Sequence, residues 1–404
     1  MGRRALRVAT LVAVLAAAIA AASAQRPPST EAGVSVNNIN WRDCSGESLF
    51  RFDCGTVRVP LRHGRVGQTI DIAVIRHRAL DAERRIGVLL MNPGGPGGSG
   101  VQLAQQAPFF LPPAVVERFD IIGFDPRGVG RSSAVDCVDG FGDLGIPDPT
   151  PDSQAERKHF YEALREFAEA CQRRGLPLIQ YVDTESAARD MEYLRVALGE
   201  ETISYLGFSY GTSLGATYAG LFPERVRAFV LDGAIDPALD AEGLTIGSAM
   251  ATERAFRAFL GDCLARPDCG FRAGDGTVDG LLAAFDELLA RTEEAPIPSV
   301  FMPGPPVGPG ELLAVTRGVM YEPLLWPLFA GALGIAYEEN DGWLIANFPF
   351  SGGPPDEFDN IAEAFPAINC ADYDFPRSEA ENDELLDRAM AAAPRFGAAW
   401  LALS

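Results

Sequence analysis

Histidine is almost missing from this 404-residue chain, and lysine nearly so: the histidines are His63, His77 and His159, and Lys158 is the only lysine. No two of the histidines share metal-ligand spacing, so no metal centre is expected and each reads as a surface or satisfied side chain. Arginine carries nearly all the positive charge, as the codon bias of a GC-rich bacterium would produce. Positive charge is scarce overall, with 34 Lys and Arg against 55 Asp and Glu, a net of −21. Such a surface is a poor partner for nucleic acid. The deficit is uneven, because 28 Asp and Glu against nine Arg lie from Gly233 onward, which places −19 of the −21 there. Those carboxylates are either a solvated set of acidic helices or, in part, groups that hold the N-terminal ammonium of a substrate. Long apolar runs are also missing except at residues 8–22, which follow Arg3, Arg4 and Arg7 and end in Ala22-Ser23-Ala24. That is the form of a signal peptide cleaved after Ala24, too short to read as a membrane span. The chain is expected to be secreted or periplasmic, with no integral span once the signal is removed.

What is present centres on Gly207-Phe208-Ser209-Tyr210-Gly211. A bare G-x-S-x-G is a weak signal, but residues 202–206 read as a short buried strand and residues 209–221 as a helix rich in small residues. Strand, tight turn and helix form the setting in which such a serine becomes an exposed nucleophile. Upstream, the apolar strand 86–91 runs into Asn92-Pro93-Gly94-Gly95-Pro96-Gly97-Gly98-Ser99-Gly100, a loop that bares backbone N–H groups suited to an oxyanion. A plain linker is the alternative, while phosphate binding is disfavoured by the glycine spacing and the missing Lys-Ser/Thr pair. A third strand, 120–124, enters the Gly- and Arg-rich turn that ends at Ser132, where Asp125 and Arg127 are expected to pair and brace the site. No cofactor is called for. In hydrolases built on this elbow the order along the chain is Ser, then Asp or Glu, then His. Here no histidine follows Ser209 in the remaining 195 residues.

With these stretches in hand the chain resembles the secreted tripeptidyl-aminopeptidase and proline-iminopeptidase branch of the α/β-hydrolases. The resemblance rests on 92–100, 123–132 and 207–215, with Leu231-Asp232-Gly233 and Ala367-Ile368-Asn369-Cys370-Ala371-Asp372 in support. It implies an acyl-enzyme on Ser209, an oxyanion hole from the N–H groups of Gly95 and Tyr210, and a peptide, small amide or ester as substrate. It also implies a catalytic Asp and His on later strands, so the chain is expected to lack the segment that carries them and to be inactive or nearly so alone. Competing readings are a non-catalytic secreted peptide-binding protein and an esterase of the same fold.

The expected architecture is a doubly wound, mostly parallel sheet with a helical lid inserted after the sixth strand and the last strands missing. Strands are predicted at 56–59, 69–75, 86–91, 120–124, 202–206 and 226–231, with helices at 153–174, 184–198, 209–221, 249–264 and 277–291. The implied division is a signal (1–24), a mobile lead (25–40), an α/β core (41–236), a helical lid (237–388) and the start of a further core segment (389–404). Within the lid, Tyr321 to Trp326 either lines the pocket mouth, with Glu322 gripping an α-amino group, or packs in a core. Seven cysteines in an exported chain suggest disulfides: Cys44 with Cys54 and Cys263 with Cys269, with Cys137 and Cys171 bracketing an insertion. Cys370 is left over, and the resemblance gives it a partner in the C-terminal segment.

Overall fold

The computed structural model describes residues 36, 38–138, 151, 153–348 and 358–401. The segment expected to be a signal (1–24) and most of the expected lead (25–40) lie outside the described residues. Seven strands form one sheet, β1 (Arg42–Asp43), β2 (Asp53–Pro60), β3 (Thr69–His77), β4 (Gly87–Asn92), β5 (Phe119–Phe124), β6 (Ile203–Phe208) and β7 (Val226–Asp232). Their spatial order is β1-β2-β3-β5-β4-β6-β7. The pairs β5/β4, β4/β6 and β6/β7 are parallel, and the three pairs on the β1 side are antiparallel. The sheet is therefore mixed, with its parallel half carrying the elbow, where a mostly parallel sheet was expected. Within the other half, the stretch 61–68 between β2 and β3 is too short for the crossover that a parallel pair requires, so these two strands run antiparallel.

Alternation along the central strand sets the two faces. Val88 and Leu90 of β4 join one apolar cluster with Ile122, Phe124, Ile203 and Tyr205, while Leu89 and Met91 join another with Ile121. The second face is covered by α1 (Gly100–Phe110) through Val101, Ala104 and Ala107. A short α2 (Pro113–Arg118) follows it, starting on a proline that the first helical turn tolerates. The first face is covered by α4 (Thr184–Leu198) and α5 (Tyr210–Leu221). Every residue of β4 is buried, so its apolar run is what a strand covered on both faces demands. The helix α3 (Gln154–Gly175) starts on a Ser153 and Glu156 capping box and is tied down by the Cys137–Cys171 disulfide. Cys44–Cys54 and Cys263–Cys269 also form, and Cys370 is free and exposed.

After β7 the chain builds a second unit around its own core. Phe256, Phe259, Leu260 and Cys263 sit at helical spacing on α6 (Ala241–Ala265) and pack with Phe285 and Leu288 of α7 (Val278–Glu294). Leu312 and Leu313 of α8 (Pro309–Val319), Phe329 and Leu333 of α9 (Trp326–Glu338) and Ile345 of the short α10 (Trp343–Ala346) complete it. Then α11 (Ile361–Asp372) leaves this unit: its Ala364, Ala367 and Ile368 belong to the core under the sheet. The chain returns with α12 (Glu379–Ala392) and α13 (Gly397–Leu401), and Phe396 and Ala399 are buried in the second core. Two boundaries are thereby corrected. Part of the 237–388 lid is core structure, and the described end of 389–404, expected to begin a further core segment, belongs to the helical unit because Phe396 and Trp400 find their apolar partners there. Among the described residues no single helix is long and apolar enough to cross a membrane.

Candidate active site

Ser209 sits between the end of β6 and the start of α5 with φ 52° and ψ −123°. Side chains rarely adopt that backbone, and holding it costs about 1–3 kcal/mol, which the surrounding contacts must offset. The Ser209 N–H donates to the Asp232 carbonyl at the end of β7 (2.9 Å), and the Ser209 carbonyl accepts from the Thr212 N–H (2.8 Å) and hydroxyl (2.6 Å). Tyr205, wholly buried, donates its hydroxyl to the Gly211 carbonyl at 2.7 Å. A Cβ at position 207 would stand 2.4 Å from the Gly211 oxygen, so β6 and α5 meet this closely only because Gly207 lacks a side chain. The outcome is an exposed Ser209 at the tip of a turn that is otherwise largely buried.

The Gly-rich loop after β4 lies against this turn. The Asn92 carboxamide, buried at the strand end, accepts from the Gly94 N–H at 2.9 Å. Gly94 has φ +93°, and a Cβ there would lie 2.4 Å from the Phe208 oxygen and 3.0 Å from both Ser209 Cβ and the Tyr210 nitrogen. No other residue type fits that position. The loop backbone is thus brought beside the N–H of Tyr210. The Gly95 and Tyr210 N–H groups, expected as oxyanion donors, have no acceptor among the described residues.

Asp125 and Arg127, expected to pair and brace the site, do not pair with each other; each is held in its own buried network. The chain turns at Pro126, so Asp125 faces α1 and Arg127 faces α4. Asp125 accepts from the Ser99 hydroxyl (2.6 Å), the Val101 N–H (3.1 Å) and the Arg131 N–H (2.8 Å). Burial pushes its carboxyl above the usual range, and those three bonds only partly oppose the shift. Arg127, wholly buried, reaches both oxygens of Asp190 on α4 at 2.7 and 2.6 Å, the carbonyls of Pro60, Leu61 and Tyr181, and His63 Nε2 at 2.9 Å.

The histidines are held elsewhere. His63 Nε2 also lies 2.9 Å from Asp190, which makes it a member of the buried Arg127 network. His77 packs edge-on against Phe50 and Phe52, and burial lowers its pKa. His159 is exposed on α3. In the helical unit, Trp326 packs on Phe259 and donates to the Val319 carbonyl at 3.2 Å, so that part of the stretch is core, while Tyr321 is exposed. Glu322 begins the turn Pro323–Leu325 in that unit. Among the described residues no group of His, Cys, Asp or Glu is arranged to hold a metal.

Two polar partners escaped the sequence reading. Asp190 lies in an ordinary amphipathic helix and carries no local signal. Asp372 lies in the stretch already singled out at 367–372, yet its contact with Thr184 (2.6 Å), at the start of α4, could not be read from either segment alone.

A family model described as "alpha/beta hydrolase fold" matches residues 87–273. A tripeptidyl aminopeptidase of Streptomyces coelicolor is 32% identical over 357 residues, covering 84% of this chain and 63% of the relative. Serine protease Hip1 of Mycobacterium tuberculosis is 32% identical over 331 residues, covering 79% and 63%. Carboxylesterase B of the same species is 34% identical over 337 residues, covering 81% and 63%. The chain thus spans less than two thirds of the length of the curated relatives it matches.

Proposed function

This chain is an α/β-hydrolase-fold protein similar to tripeptidyl aminopeptidases, and from that premise we propose that it is a serine hydrolase of the aminopeptidase type. The observation that carries this reading is Ser209 held exposed on a strained strand-to-helix turn beside unoccupied N–H groups. In the proposed reaction Ser209 Oγ bonds to the carbonyl carbon of a peptide near its N-terminus. The oxyanion is received by the N–H groups of Gly95 and Tyr210. The carbon–nitrogen bond then breaks, the serine proton passes to the leaving amine, and water releases the acyl group. Glu322 is the candidate for the substrate ammonium, which requires the helical unit to bring it over the site. Export is supported by the residues before Gln25 and by three disulfides.

Proton transfer needs a base, and the three histidines of this chain are engaged elsewhere or exposed on α3. Acting alone, the 404 residues are therefore proposed to turn over amides at no more than a trace rate, since loss of a triad base costs on the order of 10⁶ in rate. The same observation favours a second reading, in which the chain captures peptides without cleaving them.

The experiment is to incubate residues 25–404 with tripeptidyl and aminoacyl chromogenic amides, and separately with a fluorophosphonate. Slow modification of Ser209 that is lost in Ser209→Ala, with trace amide turnover, supports the hydrolase reading. Peptide binding without any modification of Ser209 would favour the capture reading instead.

A further inference from the structure

The residue that follows the nucleophile is anchored at both ends. Its backbone N–H faces the Gly-rich loop, and its phenol is buried against the hydroxyl of Thr184, the first residue of α4, in a short hydrogen bond. Thr184 in turn donates its hydroxyl to one oxygen of Asp372 at 2.6 Å and its N–H to the other at 2.7 Å. A threonine hydroxyl has a single proton, and here it goes to the carboxylate, so Tyr210 must be the donor in the first link. The chain of bonds therefore has one direction, from Tyr210 through Thr184 to Asp372, and it joins the starts of α5 and α4 to the last residue of α11.

The same helix touches the other half of the site. A Cβ at Gly97 would meet Ala364 at 3.1 Å and Ile361 at 3.3 Å, so α11 lies directly on the Gly-rich loop. At its start the Asn360 carboxamide accepts from the Gly130 N–H at 2.8 Å and donates to the carbonyls of Gly128 and Val135, both at 2.9 Å. Glu363 accepts from the N–H groups of Cys137 and Val138, both at 2.9 Å. By chain order α11 belongs to the excursion after β7, yet its contacts are with the turns that shape the site.

We propose that Asp372 and Thr184 are positioning residues, which fix the Tyr210 N–H through the Tyr210 hydroxyl so that both oxyanion donors are set by the seating of α11. This rests on Ser209 being the nucleophile. The relay restrains the one backbone unit, between Ser209 and Tyr210, whose N–H must be aimed at an oxyanion and not at a ground-state carbonyl. Displacement of that unit costs reactivity without removing any group that touches substrate, as small misplacements of a reacting centre do.

The test uses Tyr210→Phe, Thr184→Val, Asp372→Asn, the pair Tyr210→Phe/Asp372→Asn, and Thr184→Ser, at a temperature where circular dichroism shows each folded. The first readout is the rate of fluorophosphonate modification of Ser209. The expected result is a loss of about tenfold in each of the first three, a fraction of the 10²–10³ that losing an oxyanion donor costs. The pair should be no worse than its singles, because one relay is broken only once, and Thr184→Ser should stay near the parent. The second readout is hydrogen exchange of the 205–214 segment, which should speed up in the same three variants whether or not Ser209 reacts. Parent-like exchange in Tyr210→Phe, or additive losses in the pair, would overturn the relay. A parent that never modifies Ser209 would count against the nucleophile, while the exchange readout would still decide the relay.

Discussion

The sheet and the helical unit differ in how they use burial. Around the sheet, apolar packing covers both faces of β4, an arginine is wholly buried, and the turn after β6 leaves its serine exposed in a costly backbone conformation. The helical unit's one comparable position among the described residues, Asn340 (φ 53°), is an asparagine, a residue type that tolerates positive φ better than most. Its core is aromatic, with Phe256 stacked on Phe259, tilted against Phe285 and edge-on to Phe396, and helices in it are capped by Asp240, Thr277 and Ser378. It carries the acidic charge, part of it in pairs such as Arg388 with Glu242 and Arg395 with Glu253 and Asp286. The difference teaches that the first region stores conformational cost at a site, whereas the second is built for stability and surface. Where the chain needs both, it sends α11 from one to the other.

The contrast breaks most visibly at the buried charge. Arg127→Ala leaves Asp190 without its cation in the core and should destabilise the protein by about 3–5 kcal/mol, read by urea unfolding. Arg388→Ala, its counterpart in the helical unit, removes an exposed pair and should leave the urea midpoint close to that of the parent. Equal effects would erase the distinction between the regions.

Packing gives the next contrast. Phe256→Ala opens a cavity in the second core and should cost about 3–5 kcal/mol. If the two cores are separable, hydrogen exchange of β4, β5 and β6 should stay close to the parent in this variant. Uniform acceleration across the sheet would show a single cooperative unit.

Glycine substitutions sharpen the comparison further. Gly207→Ala drives a Cβ to 2.4 Å from the Gly211 oxygen and should destabilise by about 1–3 kcal/mol, with loss of Ser209 reactivity. Gly261→Ala in α6 meets nothing within 4 Å and should stabilise by about 0.5–1 kcal/mol, because an open helical glycine costs backbone entropy. Paired thermal melts of the two variants give the signs directly.

These comparisons also mark how far the sequence could be read. The strand predicted at 86–91 is Gly87–Asn92, and that at 202–206 is Ile203–Phe208, because a continuous apolar run between glycines is a local signature. The elbow and the loop facing it were legible for the same reason. The partner of Arg127 was not, since Asp190 is 63 residues away and nothing local distinguishes it from any other helical aspartate. The antiparallel half of the sheet and the two residues of β1 were missed because pairing is a long-range property. The return of α11 to the sheet, and of Phe396 to the second core, depends on which apolar surface is left uncovered, which no window of sequence contains.

The smallest effect concerns pH, and the two regions should respond with opposite signs. Burial raises the Asp125 carboxyl above its usual range, so its contribution to stability is full below the unfolded value and falls as pH rises through the folded one. At Asp341 burial pushes up, but the N–H groups of Trp343, Val300 and Phe301 together hold the carboxyl below its usual range. Its contribution is present above the unfolded value and lost as pH falls through the folded one. Unfolding of Asp341→Asn measured between neutral and acid pH should therefore show a shallower loss of stability on acidification than the parent. An unchanged slope would mean that Asp341 does not titrate in this way.

The central claim is that the fold, and not the serine alone, prepares position 209. It is tested most directly by fluorophosphonate modification of residues 25–404, mapped by peptide mass spectrometry, in buffer and in urea beyond the unfolding transition. Modification confined to Ser209 in the folded chain and absent after unfolding is the predicted result. No modification in the folded chain, or equal modification in both states, would contradict it.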